Sequence, residues 1–84
     1  MTPADSFRLV ADLLAARIRD KGLEAPVIAA DAPLLGGDLP IDSLDLATVV
    51  VELEERTGRD PFRDGFVSFR TAGELAALYA DPAG

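Results

Sequence analysis

The 84-residue chain predicts an all-α fold. The expected form is a small four-helix bundle, three main helices plus a short third helix, with a long loop between helices 1 and 2. Three observations carry this. Two long segments place apolar residues at i, i+3, i+4 and i+7, the spacing of one helix face. Capping residues stand at the heads of the segments, and Gly22 and Gly58 follow the first two. The chain has no Cys and no His. A domain this small, without disulfides or metal, is expected to find its stable form as a compact helical bundle.

The first helix is expected at about residues 3 to 21. Thr2 caps it, Pro3 suits its first position, and Asp5 completes a Thr-x-x-Asp arrangement close to a capping box. Phe7, Val10, Ala11, Leu14 and Ile18 form one apolar face, which Leu9 and Leu13 widen. Arg17, Arg19 and Lys21 suit the negative end of the helix dipole, and Gly22 is the stop.

Residues 22 to 41 show no sustained period and contain Pro26, Pro33, Gly36, Gly37 and Pro40. So long a connection is unusual inside a compact domain. Val27, Ile28, Leu34, Leu35, Leu39 and Ile41 are read as apolar anchors that pack it onto the bundle. A short turn of helix has room at Pro33 to Gly36.

The second helix is expected from about Ser43 to Thr57, with Asp42 as N-cap, Asp45 as a further carboxylate in the first turn and Gly58 as the end. Val49-Val50-Val51 also suits a strand. The complete helical set of apolar positions and the caps decide for a helix. Leu46, Val49, Val50 and Leu53 form the stripe assigned to the core. Leu44, Ala47 and Val51 form a second stripe beside Ser43. Apolar residues on a helix are ordinarily core, but two separable stripes with so few partner elements leave this one partly exposed.

Between residues 59 and 70, Asp60-Pro61 starts a short helix or turn that Gly65 ends. Phe62, Phe66, Val67 and Phe69 are expected to pin it to the bundle. The last helix opens on a Thr71-x-x-Glu74 capping box and draws its apolar content from Leu75, Leu78 and Tyr79 with Ala72, Ala76 and Ala80. Residues 1–80 form one domain, and 81–84 a frayed tail.

Composition excludes several functions. Without Cys or His there is no thiol nucleophile, no imidazole base and no Cys/His zinc site, so catalysis by this chain is not expected. An EF-hand loop begun at Asp31 puts Pro33 and Leu35 at ligand positions. Begun at Asp38 it puts Val49 at the bidentate one, so no metal site is expected. Gly36-Gly37 lacks the Lys-Ser/Thr of a phosphate loop. Net charge is −7, from 15 acids and 8 bases, which argues against nucleic acid. No apolar run is long enough for stable membrane insertion, and Met1-Thr2-Pro3-Ala4-Asp5 lacks the basic start of a signal peptide. A cytoplasmic monomer is expected. The signs of charge are segregated. From Gly22 to Glu55 there are eight acids and no Lys or Arg. A negative field around Ser43, steering basic partners, is the expectation.

The order of features is informative. A Gly- and Pro-bearing loop leads into Asp42-Ser43-Leu44-Asp45. An apolar and acidic helix follows and ends Glu54-Glu55-Arg56-Thr57-Gly58. Then come a short irregular segment and Phe69-Arg70-Thr71-Ala72-Gly73-Glu74-Leu75. This resembles the acyl carrier protein family over nearly the whole chain. On the tripeptide alone, Ser43 reads as an ordinary first-turn serine. The full organisation favours the resemblance.

The resemblance implies that Ser43 receives 4′-phosphopantetheine from coenzyme A. It implies a phosphopantetheinyl transferase, an acyl- or aminoacyl-loading ligase or transferase, and downstream synthase or transferase enzymes as partners. The cargo would ride as a thioester on the arm. Asp42 would help the transferase. Asp45, Glu54 and Glu55, and less clearly Glu52, would pair with basic partner residues, and Leu44, Ala47 and Val51 would form the apolar contact. The chain departs from housekeeping fatty-acid carriers at Thr48, Arg56 and Thr57 and in its Phe- and Arg-bearing third segment. These departures suit a specialised stand-alone carrier of a fatty acid, polyketide or related pathway. The other reading is an unmodified acidic helical docking module, which would share fold and charge without needing Ser43.

Overall fold

The computed structural model describes residues 1–63, 65 and 67–80. Phe66 and the tail at 81–84 lie outside the described residues. Three α-helices follow one another: α1 (Pro3–Asp20), α2 (Ser43–Thr57) and α3 (Ala72–Tyr79). Among the described residues the only strand-like pairing is one isolated bridge.

Helix α1 starts as its cap dictates. Thr2 is extended, and its hydroxyl accepts from the Asp5 N–H at 3.1 Å. Val10, Leu13, Leu14 and Ile18 are buried along one face, while Phe7, Leu9 and Ala11 are half-buried beside it. α1 packs against both α2 and α3, so the core forms around it. Val49 and Leu53 of α2 and Leu75, Ala76 and Tyr79 of α3 complete that core. Ser6 is fully buried on the same face, and its hydroxyl donates to the Ala76 carbonyl at 2.6 Å.

Of the core stripe expected on α2, Val49 and Leu53 are buried, but Leu46 and Val50 are half-buried. They pack against the core from its edge and also border a groove. Gly58 ends α2 in the left-handed region, with φ 70°, and its N–H donates to the Glu54 carbonyl at 2.8 Å. A residue with a Cβ is strained in that conformation.

The expected short third helix is not formed among the described residues. The Asp60 carboxylate accepts from the Phe62 N–H at 3.1 Å, which closes a local turn instead. Gly65, with φ 142°, is far from helical geometry. The segment is pinned by its rings: Phe62 and Phe69 meet with centroids 5.7 Å apart.

The long connection is held partly as expected. Ile28 and Leu34 are buried, and Leu39 and Ile41 are half-buried. Val27 is 99% exposed and Leu35 47% exposed, so neither anchors it. No helical turn forms at Pro33 to Gly36, because the backbone pairs elsewhere. Pro33 bridges Thr71, and the Leu34 N–H donates to the Arg70 carbonyl at 2.9 Å. The Ala72 and Gly73 N–H groups donate to the Ala32 and Ala30 carbonyls at 3.1 and 2.7 Å. The first N–H groups of a helix have no partner within it. Here the loop supplies them, and the Thr71 hydroxyl caps the Glu74 N–H at 3.1 Å.

Candidate functional site

Ser43 is exposed at the first position of α2. The turn that presents it is built from two carboxylates. Asp42 accepts from the Asp45 N–H at 2.9 Å, and Asp45 accepts from the Asp42 N–H at 3.1 Å. This is a complete capping box with Asp at both ends. Sequence reading found Asp42 as the cap and missed the reciprocal bond, although the Asp-x-x-Asp spacing signals it.

Asp45 was expected to face partners and does not. It is only 4% exposed. Arg17 donates to it from Nη2 at 3.1 Å, Lys21 forms an ion pair with its other oxygen, and Lys21 also donates to the Pro40 carbonyl at 3.0 Å. The Lys21 bond, then the Asp42 N–H and the Arg17 guanidinium, hold the Asp45 carboxyl well below the usual carboxylate range against the opposing effect of burial. The field at Ser43 is therefore not made by acids alone, since Arg17 of α1 and its C-cap Lys21 reach the serine turn. Sequence reading had given Arg17 and Lys21 only a role at the helix dipole. Nothing local marks their contact with a residue so distant in the chain.

The other expected surface residues stand outside. Leu44 is 74% and Val51 53% exposed. Asp42, Ala47, Glu54 and Glu55 are exposed, while Glu52 is half-buried. Beside Ser43 an open groove of about 620 Å³ runs between α2 and the 59–70 segment. Ala47 and Val51 border it, with Leu46, Val50, Phe62 and Phe69, which sequence reading had assigned to the core or to pinning. Their wall is almost wholly apolar, so the groove suits an apolar or amphipathic chain attached at its mouth.

Among the described residues no cluster of His, Cys, Asp or Glu is arranged to hold a metal ion. No helix among them is long and apolar enough to cross a membrane.

The family profile described as the phosphopantetheine attachment site matches residues 8–79. Among solved structures, the chain is similar to the solution structure of MacpD, an acyl carrier protein from Pseudomonas fluorescens involved in mupirocin biosynthesis. The TM-score is 0.82 and the identity 32%, over 98% of this chain and 74% of that one. Comparison with curated proteins finds no match.

Proposed function

The chain belongs to the phosphopantetheine attachment-site family, and on that premise we propose that Ser43 is the residue that takes the 4′-phosphopantetheine. The observation that carries this is the exposure of Ser43 at the head of α2, with the apolar groove opening beside it. The unpaired N–H groups and positive end of a helix favour a phosphodiester there. The pairing of Asp45 with Arg17 and Lys21 offsets the charge of one of the two carboxylates of the serine turn.

In the attachment step Ser43 Oγ forms a bond to the pantetheine-side phosphorus of coenzyme A. The pyrophosphate P–O bond breaks and adenosine 3′,5′-bisphosphate leaves. The serine proton passes to a base of the transferase. The chain thus acts as substrate and carrier and catalyses nothing itself. The arm supplies a thiol on which an acyl or aminoacyl cargo is held as a thioester.

Leu44, Ala47 and Val51 form the apolar centre of the surface read by the transferase, the loading enzyme and the downstream synthase or transferase. Glu54 and Glu55 form its acidic rim, and Asp42 assists at the serine. Such an interface is small and transient, as a shuttle requires. The resemblance to an acyl carrier protein involved in mupirocin biosynthesis supports a specialised polyketide or related pathway. The place of action is the cytoplasm, and the working form is a monomer.

The test is intact mass after incubation with coenzyme A and a broad-specificity phosphopantetheinyl transferase. One added phosphopantetheine is expected, and none on Ser43→Ala. No addition to folded protein, with transferases of several sources, would overturn the assignment in favour of an unmodified docking module.

A further inference from the structure

We propose that Arg17 and Lys21, at the end of α1, are positioning residues for the modification of Ser43. They clasp Asp45 and Pro40 and so hold the serine turn in the form that a transferase receives. This rests on the assignment of Ser43 as the attachment site.

The segment leading to Ser43 is exposed and glycine-bearing at 35–38 before Leu39 and Ile41 seat it on the core again. Gly36 lies at φ 76°, Gly37 follows it, and Leu35, Gly36, Gly37 and Asp38 are all exposed. Glycine loses the most backbone freedom when fixed. The bond from Lys21 Nζ to the Pro40 carbonyl ties this segment to the end of α1. The same ammonium pairs with Asp45, whose carboxylate holds the Asp42 N–H. Arg17 holds the other oxygen of that carboxylate. The residues flanking Ser43 on both sides are therefore fixed to one rigid element, while Ser43 itself stays exposed.

The clasp is partly withdrawn from the surface a partner reads. Asp45 is buried, Arg17 is half-buried and Lys21 is exposed, and the Arg17–Asp45 bond joins α1 to α2. Loss of the Arg17–Asp45 bond acts on the serine through the turn, and Asp45→Asn separates this from any contact that the exposed Lys21 makes with the transferase. If the competent turn falls to about a tenth of the population, the apparent KM for the carrier rises about tenfold while kcat stays.

The experiment measures the rate of phosphopantetheine addition to the purified full chain by intact mass, at a temperature well below every variant's Tm. There a change in global stability alone leaves the rate unmoved. Lys21→Gln and Arg17→Gln are each expected to lower kcat/KM about tenfold, carried in KM, with Lys21→Arg restoring it to within about twofold. Hydrogen exchange at the Asp42, Asp45 and Leu46 amides should quicken in Lys21→Gln while the α1 amides hold. Asp45→Asn, which keeps the side-chain shape and loses the charge, should show the same fall if Arg17→Gln does not fold. Folded variants that are modified with wild-type KM and unchanged exchange would overturn the proposal. Failure of wild-type protein to be modified is a different result, because it removes the Ser43 assignment itself.

Discussion

Tyr79 is the single tyrosine of the chain and is fully buried. Its hydroxyl has no hydrogen-bond partner among the described residues. A buried hydroxyl without a partner carries its full desolvation penalty. Tyr79→Phe is therefore expected to leave stability unchanged or to raise it by up to about 1 kcal/mol, read by urea denaturation. Burial first, and then the charges of Asp60 and Glu54, push the phenol up to about 12 from its ordinary 10.0. A raised pKa means that the folded state keeps the proton longer. The stabilisation is complete below pH 10.0 and is lost as pH rises toward about 12. Phenolate absorbance in an alkaline titration should thus appear together with unfolding, and earlier in any destabilised variant. At this scale the sequence was legible where chemistry is local. Ser43 and its Asp42 cap could be placed from neighbours in the chain. The fate of Asp45 could not, because Arg17 lies 28 residues away.

The three helices were readable as elements, since each carries its own cap and apolar period. α1 and α2 were expected at 3 to 21 and 43 to 57, and they span Pro3–Asp20 and Ser43–Thr57. The two irregular segments were less readable, because their conformations are decided by contacts that no local period encodes. The 59–70 segment follows the Asp60 turn and ring packing, and the long loop follows the head of α3. Gly73 shows how tightly that loop is seated. A Cβ built there would stand 2.8 Å from the Ala30 carbonyl oxygen. Helix propensity alone would make Gly73→Ala favourable by about 1 kcal/mol. The steric conflict is with backbone, and displacing the loop also strains the bonds from Ala72 and Gly73. Net destabilisation of about 1–3 kcal/mol is the expected outcome in denaturant unfolding.

For the molecule as a whole, the segregation of charge was visible in the sequence, but its spatial result was only partly so. The acids of α2 do face outward at Glu54 and Glu55, while the cations of α1 cross over to the serine turn. With a net charge of −7, encounter with a basic transferase should be steered by long-range attraction. Glu54→Gln with Glu55→Gln is expected to slow association several-fold at low ionic strength and to flatten its salt dependence, with little change at high salt. Stopped-flow measurement across a salt series decides this. The bond from Ser6 to Ala76 has a consequence of another kind. It joins the beginning of α1 to α3, whereas Lys21, at the other end of α1, stands by the serine turn. A helix of 18 residues is about 27 Å long. The start of α1 and α3 therefore gather at one pole and Ser43 stands at the other. A fluorescent tag, a surface tether or a neighbouring domain joined at either end would hang from the far pole, leaving the serine's approach clear.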